Sequence, residues 1–91
     1  MRINKQLMLD GVTMVDPHNT YIGADVKVGP DTIVYPNTHI YGKTVVGNAA
    51  VLGPDTFIVD SEIGNHAVIT KSVVKNAKIE NGQEVGPFQK I

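Results

Sequence analysis

Aliphatic side chains recur every six residues through most of the chain. The uninterrupted series comprises Ile22, Val28, Val34, Ile40, Val46, Leu52 and Ile58, and it continues through Ile63, Ile69, Val74, Ile79, Val85 and Ile91 with three steps shortened to five. A small or β-branched residue stands four positions after most of them, at Val26, Thr32, Thr38, Thr44, Ala50, Thr56 and Ala67, and one place earlier in shortened units, at Ser61, Ser72 and Ala77. Because that position lies two residues before the next aliphatic one, both side chains point to the same face of an extended strand. The pattern predicts short β-strands rather than helices.

Turn-forming residues separate the predicted strands. They include Gly23, Gly29-Pro30-Asp31, Pro36-Asn37, Gly42, Gly47-Asn48, Gly53-Pro54-Asp55, Gly64-Asn65, Asn76, Asn81-Gly82 and Gly86-Pro87. Glycine and asparagine adopt left-handed backbone angles at low cost, so we expect one corner per hexad. Three such sides close a triangle of about 18 residues, and residues 22–91 then form about four coils of an all-β parallel β-helix. These residues leave the handedness open, although the general crossover rule favours a right-handed coil.

The N-terminal segment has a different pattern. Ile3, Leu7 and Met8 fit one face of a helix, and Gly11 is suited to end it. We predict a short N-terminal helical tail, with a frayed terminus as the alternative. Asp16-Pro17 then requires an extended turn, because a residue before proline avoids the helical region.

The residues just before each aliphatic position are expected to point outward, and folding the repeat sorts them by side. Side one carries Ile33, Val51, Val68 and Glu84; side two carries Tyr21, His39, Phe57 and Val73; side three carries Lys27, Val45, Glu62 and Lys78. Two sides are therefore mainly apolar and one is polar. Since exposed apolar stripes usually mark contact surfaces, we hypothesise a homotrimer with parallel helix axes. An ordinary scatter of surface apolar residues is the alternative.

The composition narrows the class of protein. With 91 residues and 9.8 kDa the chain allows one domain, and without cysteine it has neither a disulfide framework nor a thiolate metal site. The formal net charge is -1, and the basic residues are dispersed, with Lys71, Lys75 and Lys78 the densest group, so no nucleic-acid partner is indicated. No apolar run approaches the roughly 20 residues of a membrane span. We therefore expect a cytoplasmic protein without a membrane partner.

The hexad itself, [Ile/Leu/Val]-Gly-x-x-[Thr/Ala/Val]-x, resembles the repeat of the bacterial hexapeptide transferases, which implies a left-handed parallel β-helix. Residues 3–17, 20–22, 31–38 and 60–64, together with Gly86-Pro87-Phe88, are similar to the bifunctional N-acetylglucosamine-1-phosphate uridyltransferase/glucosamine-1-phosphate acetyltransferase family. The resemblance spans almost the whole chain but only the middle of such an enzyme. It implies two segments: residues 1–21 as the end of a linker helix and the loop after it, and residues 22–91 as a hexapeptide-repeat β-helix truncated at its C-terminal end.

The resemblance implies a parent enzyme that makes UDP-N-acetylglucosamine for peptidoglycan precursors. An acetyl group passes from acetyl-CoA to glucosamine-1-phosphate, and uridylyl is then transferred from UTP with magnesium. No glycine-rich phosphate loop precedes Ile3, and the acetyltransfer residues of the family follow the Gly-Pro-Phe stretch. We therefore expect no catalytic, cofactor-binding or metal-binding residue in this chain.

The expected role is that of a scaffold and trimerisation element, inactive alone. Solenoids need a polar terminal cap, whereas the last residue, Ile91, is of the inward type, which also favours a fragment of a longer protein. An oligomer that covers the open end is the alternative. For function, another hexapeptide-repeat acyltransferase or a non-catalytic β-helix interaction module remains open, and so does the question whether the chain counts as an enzyme.

Three histidines are candidate zinc ligands, because some hexapeptide β-helices are zinc carbonic anhydrases. Folding the repeat places His39 above Phe57, His66 at a corner near a different edge and His18 in the loop before the first coil, so the three do not converge on one ion and we expect solvated surface histidines. The recurring threonines resemble an ice-binding ladder. Their inward positions instead predict that they fill corners of the coil.

Overall fold

Short strands follow one another through the part of the chain that the structure describes. The computed structural model describes Met8 and residues 10–91. Its strands are β1 (Thr13–Met14), β2 (Thr20–Ile22), β3 (Lys27–Val28), β4 (Ile33–Val34), β5 (Thr38–Tyr41), β6 (Val45–Val46), β7 (Val51–Leu52), β8 (Thr56–Val59), β9 (Glu62–Ile63), β10 (Val68–Ile69), β11 (Val73–Lys75), β12 (Lys78–Ile79) and β13 (Glu84–Val85), with a 3-10 helix at Pro17–Asn19. Within these described residues no helix is long and apolar enough to cross a membrane.

Each strand pairs in parallel with the third strand after it, which produces three sheets. Their orders are β1-β4-β7-β10-β13, β2-β5-β8-β11 and β3-β6-β9-β12. Thr20, Thr38 and Thr56 are in register on successive coils, as an 18-residue period requires. The three sheets form the sides of a triangular solenoid of about four coils. The predicted all-β parallel β-helix is confirmed, in the left-handed form that the resemblance implies.

The shortened hexads do not disturb the pairing of the strands. Val73 pairs with Phe57 after 16 residues and Val68 with Val51 after 17, yet inward-facing Val74 remains in register with Ile58. The missing residues fall in the corners, between strands that keep their places. If the triangular solenoid is viewed as a prism whose sides are the three sheets, length variation is therefore confined to the edges, where the chain turns from one sheet to the next.

The core is a column of aliphatic side chains inside the coils. The fully buried members include Val34, Ile40, Leu52, Ile58, Ile69 and Val74. The small positions are buried as well, at Thr32, Thr38, Thr44, Ala50, Thr56, Ser61, Ala67 and Ser72. Val28 is only partly buried and packs against this column. The inward orientation predicted for the repeat is confirmed from Ile22 to Val85, whereas Ile91, the last residue of the predicted series, is exposed. The buried threonines exclude a threonine ladder facing water.

The buried hydroxyl groups are satisfied by the backbone beside them. Thr38 Oγ1 donates to the Tyr35 carbonyl at 2.8 Å, and Ser72 Oγ donates to the Thr70 carbonyl at 2.7 Å. Thr32 Oγ1 instead donates to the Gly47 carbonyl, 2.9 Å away. Among the described residues, no buried side-chain nitrogen or oxygen lacks a hydrogen-bond partner. These hydrogen bonds therefore offset the cost of removing the hydroxyl groups from water.

The solenoid begins before the hexad pattern does. Met14 in β1 is buried and pairs with Val34, although it lies eight residues before Ile22 rather than six. The 3-10 helix takes up the two additional residues, and Asp16 caps it by accepting from the His18 backbone N–H at 3.2 Å. Asp16 itself is extended, as a residue before proline should be. The helical tail predicted before Gly11 lies almost wholly outside the described residues.

The corners owe their shape to two different effects. Left-handed backbone angles occur at Asn37 and Asp55, as expected for such residues, but also at Ala49, Lys71 and His66, among others. Three glycines serve another purpose, because each lies against an asparagine of the next coil: Gly29 against Asn48, Gly47 against Asn65 and Gly64 against Asn81. Glycine is needed at these three corners for close approach rather than for a left-handed angle.

Candidate functional site

The three outer sides of the prism differ in chemistry, as the sequence pattern predicts. The cross-strand register aligns Ile33, Val51, Val68 and Glu84 on side one, Tyr21, His39, Phe57 and Val73 on side two, and Lys27, Val45, Glu62 and Lys78 on side three. The apolar residues of side one are half-buried and form an unbroken aliphatic row, with exposed Glu84 at its end. All four residues of side three are exposed.

Side two carries an aromatic cluster formed by Tyr21, His39, Tyr41 and Phe57. The rings of Tyr21 and His39 are stacked, with centroids 4.8 Å apart and planes inclined by 18°. The His39 and Phe57 rings are also stacked, with centroids 6.1 Å apart, and the Tyr41 and Phe57 rings meet in a T-shaped arrangement with centroids 5.8 Å apart. Such pairs contribute about 0.5–1.5 kcal/mol each beyond the area they bury. The four rings therefore form one continuous aromatic surface on side two.

Tyr41 is the member of this cluster that the sequence sorting missed. The outward positions predicted from the sequence were the residues before each aliphatic position, whereas Tyr41 follows Ile40. Alternation along a strand places residues two apart on the same face, so the spacing from His39 to Tyr41 carried the signal. The longer strand β5 extends this face by one residue beyond the hexad.

His39 differs from the other two histidines. His18 and His66 are exposed, as predicted, but His39 is half-buried between two aromatic rings. Its Nδ1 atom lies 3.1 Å from the Tyr41 hydroxyl, in a hydrogen bond whose direction depends on the tautomer. The parallel register causes this burial, because it stacks Tyr21 and Phe57 directly on either side of the imidazole. The expectation of a freely solvated surface position is therefore wrong for His39.

The described residues do not assemble a metal centre. Within Met8 and residues 10–91, no three His, Cys, Asp or Glu side chains lie close enough to hold one ion. The absence of catalytic, cofactor-binding and metal-binding residues stays a prediction.

Side three contains a shallow depression of about 370 Å³. Its lining includes Val45, Glu62, Lys78 and Glu80, all exposed to solvent. A binding site for a small polar ligand usually aims a few convergent polar groups inward. In the described part of the chain, no buried polar side-chain atom is left free to do so. The depression is a feature of the solvated face.

The six-residue period, the three parallel sheets and the aliphatic column define the chain as a hexapeptide-repeat β-helix. No family model matches the chain. It is, however, 48% identical over 90 residues to the bifunctional protein GlmU of Bacillus velezensis, 50% identical to that of Thermoanaerobacter pseudethanolicus and 43% identical to that of Streptococcus sanguinis. Each alignment covers 99% of this chain and 20% of the relative.

The chain is therefore homologous to one segment of the GlmU proteins, and the predicted relation to this bifunctional family is confirmed. It spans about a fifth of the length of the curated relatives it matches.

Proposed function

We propose that the chain is a structural segment of an enzyme that makes UDP-N-acetylglucosamine, in which it acts as scaffold and trimerisation element. The homology to bifunctional protein GlmU supports this proposal, as does the solenoid fold. The parent would transfer acetyl from acetyl-CoA to glucosamine-1-phosphate and then uridylyl from UTP, in the cytoplasm. The residues before β1 would be the end of a linker, and the chain from β1 onward would form the first coils of the acetyltransferase domain.

Magnesium, which the parent's uridylyl transfer would use, has no counterpart in the chemistry of the described residues. Mg²⁺ is usually held by one or two carboxylates together with substrate phosphates. Here the carboxylates are dispersed along the corners, side three and the end of side one, and no cluster of three candidate ligands occurs within the described ranges. No catalytic step is therefore assigned to this segment.

The main support for the proposed trimer is that the prism has two apolar sides and one polar side. A cyclic trimer has head-to-tail contacts, so each protomer must offer two different complementary surfaces. Side one supplies an aliphatic row and side two an aromatic cluster, and both point outward. In a trimer with parallel axes, side one of each protomer packs against side two of the next. Side three, with Lys27, Glu62 and Lys78, then faces solvent.

The test is Val51→Lys, which places a charge at the middle of side one. Leaving an unpaired charge in an apolar contact costs about 3 kcal/mol or more. Over three contacts per trimer, the concentration at which half of the chain is assembled should rise more than about 1,000-fold. Val45→Lys is the matched control, since Val45 occupies the equivalent outer position on side three and is 48% exposed. It should leave assembly unchanged.

Sedimentation equilibrium of the wild type and both variants measures the concentration at which half of the chain is assembled. Circular dichroism shows whether each variant is folded. A wild-type chain that stays monomeric at every concentration, or a Val51→Lys variant that assembles like the wild type, would refute the assembly. The proposed lack of independent catalysis has its own assay. Acetyl-CoA-dependent acetylation of glucosamine-1-phosphate by the purified 91-residue chain would contradict it.

A further inference from the structure

We propose that Asn81 is a modification site, which deamidates spontaneously through a cyclic imide formed with Gly82 when this corner separates from the neighbouring coil. The reaction needs no second copy of the chain. Of the seven asparagines in the sequence, Asn81 is the one that is followed by glycine. Because glycine has no Cβ, its backbone nitrogen can approach the preceding side chain without steric hindrance. Both residues are exposed to solvent.

The modification replaces the side-chain amide by a carboxylate in two steps. In the first, the Gly82 backbone nitrogen attacks the Asn81 Cγ atom, so that an N–C bond forms, the bond from Cγ to Nδ2 breaks and ammonia leaves. The nitrogen that attacks gives its proton to water, and the departing amide group takes one from water. In the second step, water opens the imide ring at either carbonyl, which gives aspartate or isoaspartate. Either product adds one negative charge to a segment that already carries Glu80 and Glu84.

Two hydrogen bonds to Asn65 protect Asn81 and Gly82 from this reaction in the folded chain. Asn81 Oδ1 accepts from the Asn65 backbone N–H at 2.8 Å, and the Gly82 backbone N–H donates to the Asn65 carbonyl at 2.8 Å. The first bond fixes the side-chain amide that would be attacked. The second holds the proton that must leave the attacking nitrogen. Both bonds must therefore break before Gly82 can attack Cγ.

Asn65 is held in the same way one coil earlier and serves as an internal control. Its Oδ1 accepts from the Asn48 backbone N–H at 2.8 Å, and the His66 backbone N–H donates to the Asn48 carbonyl at 3.0 Å. Asn65 is exposed, as Asn81 is. The two sites differ in the residue that follows, because the side chain of His66 hinders its own nitrogen. At Gly82, an added Cβ would meet no described atom within 4 Å.

The strength of the two bonds determines how far folding slows the reaction. If two hydrogen bonds of ordinary strength must break first, the rate at Asn81 should be about 5- to 150-fold lower in the folded chain than in the unfolded one. In the unfolded chain both bonds are absent, so the residue that follows each asparagine decides its rate. Deamidation of Asn81 in the folded chain therefore reports how often this corner opens.

Incubation of the 91-residue chain at neutral pH, in buffer and in guanidinium chloride, tests the proposal. Peptide mapping by mass spectrometry measures the fraction of each asparagine in which OH has replaced NH2. In the unfolded chain, Asn81 should react well before Asn65, and folding should slow Asn81 by the factor given above. Equal rates at Asn81 and Asn65 in the unfolded chain would overturn the assignment of the site. A rate at Asn81 that folding leaves unchanged would overturn the protection by Asn65.

Gly64→Ala tests the protecting bonds directly. Its Cβ would lie 2.6 Å from both the backbone nitrogen and Oδ1 of Asn81, so this corner must move away from Asn65. In the folded variant, Asn81 should then react faster than in the wild type and approach the rate of the unfolded chain. Gly29→Ala is the matched control, because its Cβ would overlap Asn48, two coils away from Asn81. It should leave the rate at Asn81 unchanged.

Circular dichroism shows whether both glycine variants are folded. An equal acceleration by Gly64→Ala and Gly29→Ala would assign the effect to a general loss of stability and overturn the local role of Asn65. Should Gly64→Ala fail to fold, the ratio of the Asn81 rates in the unfolded and folded wild type decides the question by itself. None of these outcomes depends on the oligomeric state of the chain, so the proposed trimer is tested separately.

Discussion

A methyl group added to Gly47 tests whether corner glycines are dictated by the approach of the next coil. The Cβ of an alanine at this position would overlap Asn65 Oδ1, and it would lie 2.8 Å from the Asn65 backbone nitrogen and 3.0 Å from the Gly64 carbonyl carbon. Two of these three atoms belong to the backbone, so rotation of a side chain cannot relieve the overlap. The Asn65 side chain is also committed, because its Oδ1 accepts from the Asn48 backbone N–H at 2.8 Å.

The expected cost combines three effects. Overpacking costs about 1–3 kcal/mol, and weakening the hydrogen bond to Asn48 costs about 0.5–1.5 kcal/mol. The reduced freedom of the unfolded chain returns about 0.4–1 kcal/mol. Gly47→Ala should therefore lower the free energy of unfolding by about 2 kcal/mol, a large part of the roughly 5–15 kcal/mol typical of a domain.

Urea denaturation at a fixed protein concentration measures this change, and Gly23→Ala is the matched control. The nearest atom to an added Cβ at Gly23 is 3.5 Å away, which is an ordinary contact, so its stability should stay within about 0.5 kcal/mol of the wild type. Placing Gly47→Ala in an Asn65→Ala background should recover only part of the loss, since the backbone atoms remain. If Gly47→Ala were as stable as Gly23→Ala, close approach would not be the reason for glycine at this corner.

Three further substitutions probe the core, the buried hydroxyls and the corners. Ile58→Ala removes a fully buried side chain and should destabilise the chain by about 2–5 kcal/mol in the same urea assay, whereas a change under about 1 kcal/mol would contradict a close-packed column. Thr32→Val keeps the shape of the side chain but removes the donor to the Gly47 carbonyl, so thermal unfolding should show a free energy of unfolding lower by about 1 kcal/mol. A gain in stability would show that this hydrogen bond makes no net contribution. Lys71 has a left-handed φ of 45°, which asparagine tolerates better, so Lys71→Asn should stabilise the chain by about 0.5–1 kcal/mol. Lys75→Asn, in strand β11, is the control and should not stabilise it. Equal effects of the two substitutions would argue against strain at this corner.

The interior of the solenoid could be read from the sequence because its geometry repeats. Once residues six apart share one environment, the aliphatic period alone determines that Ile40 and Ile58 point inward and that His39 lies above Phe57. The same repetition also predicts which outer residues share a side, in agreement with the cross-strand register. A parallel solenoid leaves little freedom in register, since slipping a strand by one residue would turn its core side chains outward.

Features that break the repeat could not be read in this way. Strand β1 was missed because the 3-10 helix displaces Met14 from the six-residue spacing. The reason for glycine at Gly47 was also hidden, because the sequence does not show that the asparagine of the next coil folds back over it. The left-handed angle at Ala49 is imposed by the coil against the preference of the residue, so local propensity gave no sign of it.

The confinement of length changes to the corners has a consequence for how such a chain can diversify. Since the 3-10 helix adds residues before β2 and three later corners lose one, while the paired strands keep their alignment, an inserted loop would alter one edge locally and leave the rungs above and below it in place. A protein built on this plan can gain or lose surface segments one edge at a time, without redesigning its interior.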